Sequence, residues 1–185
     1  MRHLLAAAAL FVVAPLLFAG DLPCKSGLPA GKRPGPYSSL VATGEHRGQQ
    51  HCFVCETGDR PAVIVFARSL SNPLGKLLHQ IDGALADQKK SELRAWATFL
   101  SNDQPGLDPR LVQFGKKHSI GNVALTVFED VVGPPAYQLS AEADVTVLVA
   151  VKQRVAGNFA FRAGQLNDAA IARVMRAVRQ LDDKK

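Results

Sequence analysis

The sequence carries no G-x-S-x-G, no P-loop and no dinucleotide-binding glycine fingerprint, so enzymes built on those motifs are not indicated. It has no stripe of Arg and Lys interleaved with aromatic residues. The formal charge of +6 is scattered, and its densest cluster is the "DDKK" tail, so nucleic-acid binding is not indicated. The excess charge reads as a solubility feature. Cysteine is scarce, with 3 in the chain, and only one C-x-x-C exists. Covalent haem attachment is disfavoured, because Glu56 stands where that motif needs a His after the second Cys. No carboxylates are spaced as an acid–base couple; Glu56 and Asp59 flank turns. No cofactor is implied.

What is present begins with "MRHLLAAAALFVVAPLLFAG", residues 1–20. One Arg, an apolar run and small residues at Ala19 and Gly20 form a secretory signal pattern. The apolar stretch is short and Ala-rich for a membrane span, so membrane attachment would come only through an uncleaved leader. Cys24 does not directly follow a small-residue lipobox, which disfavours a lipid anchor. Removing the leader takes one Arg and no acids, lowering the formal charge from +6 to +5. The reading is an exported protein of the periplasm, cell envelope or extracellular space. Its mature part of about 165 residues suits one domain with a real core. In an oxidising compartment two nearby thiols usually become a disulfide, and the third is left over.

Residues 21–50 are rich in Gly, Pro, Lys and Ser and read as an irregular arm, with a short strand near Ser39 to Thr43. The folded domain is expected over 51–185. "PAVIVFARS", Pro61 to Ser69, is a strand buried on both faces. Asn72 and Pro73 suit the cap and first position of a helix with Leu74, Leu77, Leu78, Ile81 and Leu85 at helical spacing. "ELRAWATFLS" alternates as a second strand, with Leu93, Ala95, Ala97 and Phe99 on one face and Arg94, Trp96 and Thr98 on the other. Asp108 and Pro109 predict the start of a second helix that ends before Gly121. "VALTVFED" is a third strand, and "VGPPAYQLSAEA" a turn with one helical turn. "DVTVLVAVKQRVAGNFAF" is a hairpin turning at Lys152 to Arg154. Asn167 caps a last helix that buries Ile171, Val174, Val178 and Leu181. His79 reads as a partly buried structural histidine. His118 lies near a helix C-terminus, where a cation suits the dipole. Phe159 and Phe161 share a strand face, at a sheet edge or under the last helix.

This order of elements over residues 61–181, with the texture of the closing hairpin, resembles the thioredoxin fold in its peroxiredoxin-like and secreted thioredoxin-like versions. The resemblance implies an α/β protein with a mixed sheet, helices on both faces and an N-terminal extension. It also implies a reactive cysteine just after the first buried strand, at the start of the next helix. There "ARSLSNPLG" offers Ser69 and Ser71 instead, and a serine hydroxyl cannot carry dithiol exchange. The family's cis-proline position corresponds to Val145.

The C-x-x-C lies upstream of that strand, in "QQHCFVCETGDRP". Three readings of it stand open, and the first is favoured over the two alternatives. Cys52 and Cys55 form an inert disulfide bracing the entry to the sheet, in a non-catalytic binding or scaffold module. Alternatively they are a relocated catalytic pair, with Cys52 the more exposed, attacking sulfur, Cys55 the resolving one, and His51 or Arg60 stabilising a thiolate. The third reading is a metal site of His46, His51, Cys52 and Cys55, to which Cys24 could add a thiolate. The partner implied is a protein or a protein disulfide.

Overall fold

The computed structural model describes residues 23–87 and 92–181. The leader read over 1–20 and the "DDKK" tail lie outside the described residues. Seven strands form one sheet: β1 (Ser39–Val41), β2 (Gln50–His51), β3 (Ala62–Ala67), β4 (Arg94–Leu100), β5 (Ala124–Phe128), β6 (Val145–Val151) and β7 (Arg154–Phe161). Their order is β2-β1-β5-β4-β3-β6-β7. β3, β4 and β5 are parallel, as their helical crossovers require. The β6–β7 hairpin returns antiparallel onto β3, and β1 lies antiparallel on β5. β3 therefore lies inside the sheet between β4 and β6, and all six of its residues are buried.

Strand alternation divides the core in two. Val63, Val65 and Ala67 of β3, with Ala95, Ala97 and Phe99 of β4, face α2 (Asn72–Asp87), α3 (Gln104–Lys117) and α4 (Asp168–Arg179). The two crossovers step in the same direction across the sheet, so right-handed connections place α2 and α3 on one face. The opposite face buries Ile64, Phe66, Trp96 and Leu148. Its cover is α1 (Phe53–Thr57), the 3-10 turn Pro135–Tyr137 and the arm upstream of β1. Helices thus lie on both faces, with all the long ones on one.

The second face is also where hydroxyls are buried. Ser39 Oγ donates to Thr126 Oγ1 at 2.9 Å, and Thr126 donates to Thr98 at 3.1 Å. Thr98 Oγ1 meets the Tyr37 hydroxyl at 2.8 Å, which accepts the indole N–H of Trp96 at 2.8 Å. Each polar atom has a partner, which burial demands. Burial also pushes the Tyr37 phenol well above its ordinary pKa, so it stays protonated.

Two helix starts differ from the sequence reading. α2 is capped by Ser71, whose Oγ accepts the Leu74 N–H at 3.3 Å, while Asn72 lies inside the helix and accepts from Lys117 Nζ at 2.9 Å. α3 starts at Gln104, not after Asp108. Asp103 is the cap, its carboxylate taking the Gly106 N–H at 3.0 Å, and Pro109 is carried within the helix. Pro105 is equally suited to a first turn, so the chain offers two start signals four residues apart and the earlier one prevails. Asn167 caps α4 as expected, accepting from Ala170 N–H at 2.9 Å. Phe161 is buried under the helical layer, and Phe159 packs partly beside it on the edge strand.

Candidate functional site

The C-x-x-C opens α1, a five-residue helix between β2 and β3. Cys52 is its cap, and Cys52 Sγ accepts the Cys55 N–H at 3.2 Å. Thr57 Oγ1 donates back to the Phe53 carbonyl at 2.7 Å. Gly58, at φ 59°, ends the helix in the left-handed region that a glycine enters without strain. Arg60 then donates to the Thr57 carbonyl at 2.9 Å and to that of Glu56. It is thus spent on closing the turn and does not serve a sulfur. Cys52 and Cys55 are bonded to each other, with Cα atoms 5.3 Å apart. Cys55 is exposed and Cys52 half-buried, the reverse of the expected order. Cys24 is free and half-buried.

Beside this pair three side chains converge. His51 comes from β2, Glu56 from α1, and His46 from the tip of the β1–β2 turn. That turn is held by the Val41 N–H to Gln49 carbonyl bond at 2.9 Å and the Gly48 N–H to Val41 carbonyl bond at 2.8 Å. Arg47 ties it to Asp108 of α3 at 3.2 Å. The His46 and His51 rings stack 3.9 Å apart at 11°. His51 Nε2 donates to Glu56 Oε2 at 2.9 Å, and His46 Nε2 lies 3.9 Å from the same oxygen. The hydrogen bond from His51 holds the Glu56 carboxyl below its ordinary pKa against a smaller opposing effect of burial, with Arg94 and His46 helping. Glu56 therefore has a partner that the sequence did not reveal. The one available cue was its place just after Cys55 on a helical turn that faces back towards His51.

Phe53 and Glu56 line a groove of about 380 Å³ with His46, Arg94, Trp96 and Asn122. Trp96 stacks on Phe53 at 5.6 Å, and His51 meets the Phe53 edge at 4.5 Å. The far wall is set by Asp82 on α2, which the sequence reading overlooked. Its Oδ1 accepts the N–H groups of Gly121, Asn122 and Val123 at 2.9, 2.6 and 2.8 Å. Arg94 and Ala124 open β4 and β5, so the groove lies at the amino-terminal end of the parallel strands.

The other two histidines among the described residues stand apart. His79 is exposed, not partly buried, with Nδ1 at 3.3 Å from the Ser119 carbonyl. His118 does end α3, but it is not the cation a helix terminus would favour. Its Nε2 is buried without a hydrogen-bond partner, and desolvation, then Lys117 and His79, push its pKa down.

No protein-family model matches the sequence, and no curated protein does. Solved structures do match. A thiol-disulfide oxidoreductase from Bacteroides fragilis shares 10% identity at a TM-score of 0.56, covering 80% of this chain and 99% of that one. A DsbF homologue from Corynebacterium diphtheriae gives 13% and 0.56, covering 92% and 98%. A peroxiredoxin-like protein from Aquifex aeolicus gives 16% and 0.52, covering 81% and 88%. The fold is thioredoxin-like.

In a thioredoxin-like fold the reactive cysteine is expected at the carboxyl end of the first buried strand, here after β3. That place is filled by structural bonds. Ser69 Oγ donates to Asp144 at 2.8 Å, and Ser71 caps α2. Arg68 donates to the carbonyls of Ala143 at 3.0 Å and Ser140 at 3.2 Å, and to that of Val131. The peptide bonds at Pro134 and Pro135 are trans, and Val145 begins β6. The C-x-x-C helix and the groove it lines thus lie at the opposite end of the sheet from the usual thioredoxin-like site.

Proposed function

We propose that the protein is an exported thiol-disulfide exchange protein acting through Cys52 and Cys55 from this relocated position. The observation that carries the reading is a bonded C-x-x-C whose Cys55 is exposed, on the same short helix that lines a groove with Phe53, Glu56 and Thr57. Thiol-disulfide oxidoreductases among the structural neighbours support it, and the signal-like leader supports export. A purely bracing role is weaker on physical grounds. A bond between residues 3 apart in sequence closes a very short loop. Chain-entropy arguments give such a loop only about 2 kcal/mol, against roughly 4.7 for a 100-residue loop.

The exposure order assigns the roles. A substrate thiolate attacks Cys55 Sγ, the Cys52–Cys55 bond breaks, and a substrate–Cys55 disulfide forms. The electron pair leaves on Cys52 Sγ, which keeps the Cys55 N–H as a hydrogen-bond donor. A second thiolate of the same substrate then attacks the substrate sulfur and releases Cys55. The substrate dithiol loses two electrons and two protons to become a disulfide, and the cysteine pair becomes the dithiol. Run backwards, Cys55 attacks a protein disulfide and Cys52 resolves the mixed species. Protein thiols or disulfides are therefore the substrate class.

Single-cysteine variants test this. Cys52→Ser leaves the exposed sulfur as the nucleophile and should accumulate mixed disulfides with a reduced or scrambled protein substrate. Cys55→Ser should trap far less. Wild type should accelerate insulin reduction by dithiothreitol. Equal trapping by both variants, or no acceleration by wild type, would leave the bond as a brace and the protein as a scaffold that kept the fold without its chemistry.

A further inference from the structure

We propose that His46, His51 and Glu56 form a binding site for a divalent cation of the zinc class, separate from the sulfur chemistry and open towards the groove. Four observations carry this. Two imidazoles and one carboxylate present ligand atoms all within 4.8 Å of one another. The spacing suits the metal: donors at about 2.0–2.1 Å in a tetrahedron lie roughly 3.3 Å apart. The distances to Glu56 Oε2, 2.9 Å from His51 Nε2 and 3.9 Å from His46 Nε2, bracket that value. Inserting a cation exchanges the one hydrogen bond for coordination and draws the three ligand atoms, now within 4.8 Å of one another, towards this spacing.

Second, both Nε2 atoms lie within 3.9 Å of the same carboxylate oxygen, His51 at hydrogen-bond distance and His46 beyond it. The rings stack at 11°, so they would turn out of the stack for both Nε2 lone pairs to meet one cation. Third, the ligands are pre-placed by three separate anchors. His51 belongs to β2, Glu56 to α1 behind the Thr57–Gly58 stop, and His46 to a turn tied to α3 by Arg47. Fourth, His46 and Glu56 both line the groove, so three protein ligands leave one coordination position facing space for water or a small anion. That is the pattern of a reactive rather than a closed zinc site. The imidazole-rich donor set selects zinc-class ions over Mg²⁺ and Ca²⁺, which need oxygen ligands. The ligand set expected from sequence is changed accordingly. Cys52 and Cys55 are bonded to each other and are not thiolate donors, and Glu56 takes their place.

Titration calorimetry with ZnCl₂ on the metal-stripped, oxidised full chain tests the site. One equivalent should bind, Mg²⁺ should not compete, and the Cys52→Ser/Cys55→Ser double variant should bind equally well. His46→Ala and Glu56→Gln should each weaken binding about 10-fold or more, while far-UV circular dichroism stays unchanged. If either variant loses structure, Co²⁺ bound to wild type decides. Tetrahedral d–d bands without a thiolate charge-transfer band support the site, and an octahedral or thiolate spectrum overturns it. No stoichiometric Zn²⁺ binding overturns it too, as does binding that survives loss of both histidines or appears only after reduction. These readouts do not depend on insulin turnover, so the metal site and the exchange reaction can fail separately.

Discussion

Asp82 is buried on α2, and its single Oδ1 collects three successive backbone N–H groups ahead of β5. Its Oδ2 accepts from the Asn122 side chain at 2.9 Å. One carboxylate thereby substitutes for a turn of secondary structure and fixes the wall of the groove. Replacing it strands the buried Val123 N–H and leaves those of Gly121 and Asn122 to water, so the loss exceeds what the bonds contribute net. Asp82→Ala should lower the unfolding free energy by about 2–3 kcal/mol, measured by urea denaturation. Asn122→Ala, losing one of these contacts, should cost about 1 kcal/mol. A sequence gives no sign of such a residue, because its partners are backbone groups 39 to 41 positions away. The Cys52–Cys55 bond was legible by contrast, since its two residues are local in sequence. Which sulfur is exposed was not, because that depends on what packs beside α1.

At the scale of elements, hydrophobic period was a sound guide wherever a segment was long enough to show one. β3, β4, the closing hairpin and α4 stand where their patterns put them. α1 was missed because five residues cannot display a 3.6-residue period and its cap is a cysteine. The contact between α2 and the end of α3 was equally hidden. A Cβ built on Gly75 would meet the His118 ring at 2.4 Å, so the helices approach only because that residue is glycine. Gly75→Ala should force the ring out and cost about 1–3 kcal/mol. The same packing makes His118 a pH-sensitive element. Its folded pKa is lowered, so the unfolded chain binds the proton more readily. Stability should fall as pH drops through the ordinary histidine range towards the lowered folded value, and be unaffected above it. Comparing urea midpoints at about pH 7.5 and pH 5, His118→Phe should lose less stability than wild type. An equal loss would place the sensitivity on other groups.

At the scale of the whole molecule, the largest departure from a conventional layered sheet is the cover of the second face. All the long helices serve one side, so the other must be closed by chain that lacks a regular period. Residues 23–38 do this without helix or strand. Leu28 is 5% exposed there, and Asn158 Nδ2 donates to the carbonyls of Ser26 and Leu28 at 2.9 and 2.8 Å. Ser26 Oγ meets Thr146 Oγ1 at 2.7 Å, and the Gly31 N–H reaches the Val155 carbonyl at 2.8 Å. Tyr137 closes the seam by donating to the Gly35 carbonyl at 2.8 Å. A Gly- and Pro-rich composition signals an arm but not its docking, because the bonds are made by main chain and by distant side chains. The arm is thus a structural layer, placed over the core that carries Trp96 and through it Phe53 and the groove. Deleting residues 24–36 should remove about 3 kcal/mol or more, since loss of one buried leucine alone costs 2–5 kcal/mol in typical cores. For a domain of this size that lowers the melting temperature by about 10 °C. Trp96 is the only tryptophan, so its emission should shift to the red as the second face takes up water, and the truncated chain should bind an apolar dye. A deletion variant with unchanged melting and unchanged Trp96 emission would show that the sheet closes its second face without the arm.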